Sequence, residues 1–102
     1  MKKLLSISKS DKPSKKLVAV FEIDGKQRKV HFGATGYNDY TIYSKTEGKS
    51  VADKKKDAYL ARHKANETWN DPMTAGSLSR WVLWNKPTIS ASISDFKKRF
   101  SL

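Results

Sequence analysis

Apolar positions alternate with polar ones in the first third of this chain and recur every three to four residues in the remainder, so the pattern predicts strands first and helices after. Leu4 to Ser8 alternates briefly and predicts a short strand, followed by Ser10-Asp-Lys-Pro-Ser14, a loop by composition. Leu17-Val-Ala-Val-Phe-Glu-Ile23 is rich in β-branched and aromatic residues and is the strongest strand in the sequence. Asp24-Gly25 follows at once, the residue pair that best accommodates a two-residue hairpin turn, with Lys26-Gln-Arg-Lys-Val-His-Phe32 as the return strand. That turn pairs Ile23 with Lys26, Phe21 with Arg28 and Ala19 with Val30. It puts Ala19, Phe21, Ile23 and Val30 on one face, and Val18, Val20 and Glu22 with Gln27, Lys29 and His31 on the other. The return strand is mostly basic, which suits a solvent-facing sheet edge guarded by lysine.

Gly33 to Asp39 carries two glycines and reads as a loop, and Tyr40-Thr-Ile-Tyr43 as a brief extended segment. Ser50-Val-Ala-Asp53 has the form of a helix N-cap, starting a helix that runs to His63 or Ala65. Val51, Ala58, Tyr59, Arg62 and His63 lie along one side of it, with Lys54, Lys55, Lys56 and Lys64 around the rest. Asn66 to Met73 is a loop that Trp69 pins to the core. A second helix covers Thr74-Ala-Gly-Ser-Leu-Ser-Arg-Trp-Val-Leu-Trp-Asn-Lys-Pro87 and stops near Asn85, because Pro87 disfavours helical geometry at Lys86. Trp81 and Trp84, three apart, would be neighbours on its surface. A third helix spans Ile89 to Phe100, capped by Thr88 or Ser90, with Ile89, Ile93, Phe96 and Phe100 as its apolar stripe. The expected architecture is one α+β domain: strand-rich over 1–33 with an antiparallel sheet of about three strands, a loop over 34–49, and three helices over 50–102. Trp69, Trp81 and Trp84 are expected to pack the helical part against the sheet.

Charge changes this picture most. Lys and Arg total 21 against 10 Asp and Glu, a net +11 on 102 residues, which attracts polyanions. The excess is uneven: residues 1–30 hold nine bases and three acids, 50–66 five bases and two acids, and 88–102 three bases and one acid, while 31–49 and 67–87 balance. The absence of cysteine excludes disulfides and most structural zinc schemes and fits an intracellular protein. Met1-Lys-Lys-Leu-Leu-Ser-Ile-Ser8 imitates the start of a signal peptide, but its apolar part ends too soon, and the protein is read as not secreted. No apolar run approaches the roughly 20 residues needed to span a bilayer, so no membrane association is expected.

Little in the chain points to catalysis. With two histidines and no cysteine, neither metal binding nor a cofactor is expected, and no residue is assigned a catalytic role. A small nuclease-like site built from His31, Asp39, Arg62 and His63 is the enzymatic alternative; against it, His31 completes a strand and His63 suits a helix C-terminus. The cations are more informative. Lys54-Lys55-Lys56 with Arg62 and Lys64 spread around about 200° of a helix, an arrangement for phosphate contacts rather than base reading, or for a solvated face. Lys15 and Lys16 extend the basic surface into the N-terminal third. Arg80, Trp81, Trp84 and Lys86 offer stacking on unpaired bases, although a tryptophan pair at helical spacing is more often core. Lys97-Lys98-Arg99 is explained by the helix dipole, worth about 0.3–1 kcal/mol at a C-terminus.

His31-Phe-Gly33, Gly36-Tyr-Asn-Asp-Tyr-Thr41, Tyr59-Leu-Ala-Arg-His63, Trp69 and Thr74 to Pro87, in this order over roughly residues 30 to 95, resemble a family of small basic proteins from large DNA viruses that infect algae and protists. The resemblance implies a viral source and a place in the infected host cell, cytoplasm or nucleus, or in the virion. It implies no reaction. With the charge, it favours a protein that binds nucleic acid without sequence specificity through Lys15, Lys16, Lys54, Lys55, Lys56, Arg62, Lys64, Arg80 and Lys86. The competing expectation is a structural protein of the particle that contacts other virion proteins through its aromatic-rich half.

Overall fold

The computed structural model describes residues 2–102, with the backbone alone for Asn66. Three strands, β1 (Lys2–Lys9), β2 (Lys15–Ile23) and β3 (Lys26–Ala34), form one antiparallel sheet in the order β1-β2-β3. Asp24 and Gly25 both take positive φ, 51° and 85°, which is the condition for a tight hairpin matched to strand twist. The resulting register pairs Ile23 with Lys26, Phe21 with Arg28 and Ala19 with Val30, as the turn requires. Ala19, Phe21 and Phe32 are fully buried on the inner face, with Val30 packed beside them.

β1 adds a feature the alternation did not announce. Leu4 and Ile7 are three apart, so a regular strand would send them to opposite faces. The register shifts between Leu4 and Ser6, setting Leu4 opposite Phe21 and Ile7 opposite Ala19. The extra residue, Leu5, is left 41% exposed while Leu4 and Ile7 both reach the core side.

Helical structure begins earlier than expected. Where Tyr40–Tyr43 reads as extended, the chain forms α1 (Tyr40–Thr46), with the Asp39 carboxylate accepting a hydrogen bond from the Ile42 amide at 3.1 Å. This cap and the burial of Tyr40, whose hydroxyl donates to Asp53 Oδ1 at 2.7 Å, outweigh the strand preference of Thr41, Ile42 and Tyr43. The region expected as a loop thus supplies a fourth helix. Gly48, at φ 88°, then turns the chain straight into α2 (Lys49–His63) and occupies its N-cap, so Ser50 lies within the first turn rather than capping it.

A 3₁₀ turn (Lys64–Asn66) leads to the tryptophan segment, which is not one regular helix. α3 (Ala75–Leu78) is capped by Thr74, whose Oγ1 accepts from the Ser77 amide at 3.1 Å, and passes into a π turn over Ser79–Leu83. The Trp84 amide closes that turn on the Ser79 carbonyl at 3.1 Å. Widening the helix by one residue turns Trp81 and Trp84 apart. Trp81 faces Phe100, 6.3 Å between ring centroids, while Trp84 lies on Tyr59. The turn is seated on the sheet at Gly33, whose φ is 79°, and a Cβ there would come within 2.7 Å of Leu83 Cδ1. Glycine therefore meets both a backbone and a packing requirement at this point. α4 (Ile89–Arg99), capped by Thr88, buries Phe96 and packs Ile89, Ile93 and Phe100 on the core. The whole is an α+β fold with its core between the inner sheet face and the helices.

Candidate functional site

One face of α2 repeats at Lys55, Ala58, Tyr59, Arg62 and His63, the spacing that brings side chains into line along a helix. This face forms one wall of an open cleft of about 620 Å³. Lys15, Lys16, Gly33 and Ala34 from the sheet, with Tyr37, Asn38 and Asp39 from the loop after β3, form the facing wall. Tyr43, Ser79, Leu83 and Trp84 close the bottom. The Gly33 to Leu83 approach sets the depth of the cleft, because a bulkier residue at 33 would lift the π turn off the sheet.

Its interior is a column of rings. The Tyr59 ring lies flat on Trp84, 4.3 Å between centroids and 4° between planes, and carries His63 on its other face at 4.4 Å. Burial pushes the Tyr59 phenol up to about 12, so it is a neutral donor at any physiological pH. Glu67 enters from beyond α2, with its carboxylate directly against Gly76, where any side chain would overlap it, and with Oε1 3.6 Å from His63 Nδ1.

The cations named from the sequence fall into different environments. Lys54, Lys55 and Lys56 are spread by the helical repeat. Lys54 is exposed, Lys55 borders the cleft with its ammonium 5.6 Å from the Tyr43 ring, and Lys56 turns inward. Lys56 lies 4.7 Å from the Tyr40 ring and donates to the Asn85 carbonyl at 2.9 Å, and burial lowers its pKa, with the nearby Arg80 charge adding to the effect. Arg80 is also committed: it donates to the Trp84 carbonyl at 2.8 Å and sits 4.1 Å from the Trp81 ring. Lys64 and Lys86 are exposed outside the cleft lining. Lys16 pairs with Asp39 at 2.8 Å and donates to the Tyr37 carbonyl, tying the loop after β3 to the sheet. Of the nine, Lys15, Lys16, Lys55 and Arg62 converge on the cleft.

A second hollow of about 350 Å³ lies alongside, lined by Lys9, Lys12, Lys15 and Lys16 with Ser10, Asp11, Pro13 and Thr35. Lys15 and Lys16 belong to both hollows. Lys9 and Lys12 have no motif around them; only the loop pairing of Thr35 with Ser14 and Pro13, which folds the β1–β2 connection beside the loop after β3, gives them a place here. The tryptophans offered for base stacking are otherwise engaged. Trp84 is 9% exposed and covered by Tyr59, and Trp81 lies between the Arg80 and Arg99 guanidinium groups and donates from Nε1 to the Trp69 carbonyl.

Of the four residues of the nuclease-like alternative, Asp39, Arg62 and His63 line the cleft and His31 does not. His31 Nδ1 hydrogen-bonds with Ser10 Oγ at 2.7 Å. Among the described residues no group of three or more His, Cys, Asp or Glu side chains is placed to hold a metal ion. Nor is any helix among them long and apolar enough to cross a membrane.

Residues 5–63, from β1 through the end of α2, match a protein family of unknown function, DUF5754. The chain belongs to that family. The DUF5754 match takes in the sheet, α1 and α2, with Lys9, Lys12, Lys15, Lys16, Tyr37, Lys55 and Arg62. It stops short of Trp69 and the π turn. It also reaches further toward the N-terminus than the motifs beginning at His31. No curated protein and no solved structure matches the chain.

Proposed function

We propose that this DUF5754 chain binds nucleic acid without reading its sequence, through contacts from lysine and arginine to phosphates, in the service of a large DNA virus of algae or protists. The observation that carries the reading is the pair of hollows joined at Lys15 and Lys16. Lys9 and Lys12 lie on one side of the joint, and Lys55 and Arg62 on the other. A polyanion laid along this path meets cations in succession rather than one isolated charge, and each neutralised phosphate releases counterions. Three acids line the path: Asp39 is paired with Lys16, which limits its repulsion of a phosphate, Asp11 stands in the second hollow among Lys9, Lys12, Lys15 and Lys16, and Glu67 lies beside His63. The viral setting, in the host cell or the particle, rests on the motifs from His31 to Pro87.

The competing role, a particle component that docks through apolar surface, gains no support from the exposure pattern. Among the described residues the exposed large apolar side chains are Leu5, Tyr37 and Val51, one each on β1, the loop after β3 and α2. The test is a titration of labelled duplex DNA and RNA with the protein at several salt concentrations. The reading expects log affinity to fall linearly with log salt, with a slope corresponding to about four to five phosphates at roughly 0.9 per contact on B-DNA. Affinity that does not change with salt contradicts it.

A further inference from the structure

Tyr37 is 74% exposed, the most exposed of the large apolar side chains among the described residues, yet its backbone is held. Its carbonyl accepts a hydrogen bond from Lys16, and two residues earlier Thr35 bonds through its amide and its hydroxyl to Ser14 and Pro13. The ring therefore stands at the rim of the 620 Å³ cleft on a fixed support, with most of its surface in water. Below it are the apolar wall of Tyr59 and Trp84, the side chains of Asn38 and Ser79 as hydrogen-bonding groups, and the cations Lys55 and Arg62.

We infer that the cleft seats one unpaired nucleotide of a single strand, with its base stacked on Tyr37 and its phosphates on Lys15, Lys55 and Arg62. This rests on the nucleic-acid reading above and adds a preference to it. A ring that is broad, rigid and exposed gives every base a π-face to cover, which is how sequence-tolerant single-strand sites gain affinity. A base inside a duplex is already stacked and cannot enter, whereas an unpaired base turns outward freely. The cleft volume lies within the 300–1,000 Å³ or so that pockets for small ligands commonly enclose, room for one nucleotide. The seat does not involve Trp81 or Trp84, whose ring faces are taken inside the protein.

The experiment compares a labelled twelve-nucleotide thymidine strand, an abasic deoxyribose-phosphate strand of the same length, and a duplex of the same length. All three are titrated with wild-type protein, Tyr37→Ala and Tyr37→Phe at one salt concentration. The wild type is expected to bind the thymidine strand about tenfold more tightly than the abasic strand. Tyr37→Ala should lose that advantage while binding the abasic strand and the duplex as before, and Tyr37→Phe should keep it. Equal affinity of the wild type for the thymidine and abasic strands, or an advantage that survives in Tyr37→Ala, overturns the inference and leaves the phosphate reading standing. Failure of the wild type to bind all three ligands overturns both.

Discussion

On the side of the π turn that faces α4, Arg80 and Arg99 lie 4.1 and 3.9 Å from the Trp81 ring, and Arg80 also holds the Trp84 carbonyl. On the side that faces α2, Lys55 and Arg62 border an open cleft with Lys15 across from them. Both sides are cationic and aromatic, but on the first the charges are spent on the protein's own rings and carbonyls. There the flat guanidinium serves as packing material that also satisfies the end of the turn. On the second side the rings stack on one another and leave the cations at the rim. A net charge of +11 therefore overstates the cations left free to meet a partner, because the neighbours of each cation decide its use.

The largest expected effect breaks both sides together. Gly33→Val combines a β-branched residue at φ 79° with a Cβ 2.7 Å from Leu83, so it should destabilise the protein by about 3 kcal/mol in urea unfolding. A loss below about 1 kcal/mol would mean that the π turn does not depend on that approach. Next, Arg80→Ala separates the two sides. It should cost about 2 kcal/mol by removing a charged hydrogen bond and a stacked side chain, with the salt dependence of binding nearly unchanged. Arg62→Ala should do the reverse, staying within about 0.5 kcal/mol in stability while flattening the salt slope by about 0.7 to 0.9. If both variants alter stability and slope alike, the division between the sides is wrong.

The smallest effect sharpens the cleft side alone. Burial raises Tyr59 from the ordinary 10 to about 12, so the folded state holds that proton more tightly. The associated stability is fully present below pH 10 and is lost as pH climbs through 10 to about 12. Wild-type Tm should therefore fall more steeply over that window than the Tm of Tyr59→Phe, a difference of about 1 kcal/mol once partial solvent access to the cleft is allowed for. Tyr40, raised chiefly by its hydrogen bond to Asp53, remains in both proteins and cancels. Parallel curves would place Tyr59 outside the buried column.

The hairpin register was legible because alternation and Asp24-Gly25 act locally and point the same way. The bulge at Leu5 was not, since only pairing with β2 shows that Leu4 and Ile7 must share a face. α1 was read as extended because Thr41, Ile42 and Tyr43 favour strands; the Asp39 cap is local and was passed over, while the contact of Tyr40 with Asp53 joins residues 13 apart and only the fold brings it about. The π turn follows from the seat of Leu83 on Gly33, and a 3.6-residue period cannot register an added residue per turn. For the candidate site, the residue types were visible and their convergence was not. Lys54, Lys55 and Lys56 look alike in sequence, and the helix sends each to a different environment. Tyr37 lies between Gly36 and Asn38 with Ala34 and Tyr40 three residues away on either side, so nothing in the spacing marks it as exposed.

On the proposed function, the cations around the joined hollows, rather than the total charge, hold the polyanion. The direct measurement compares Lys15→Ala/Lys55→Ala/Arg62→Ala with a charge-matched variant altered at exposed sites outside both hollows, Lys26→Ala/Lys29→Ala/Lys98→Ala. Each is titrated against the same duplex over a range of salt. The first variant should lose about 2 from the log–log slope and the second less than 1. Equal losses in the two variants would contradict it, because the charge would then be acting without a site.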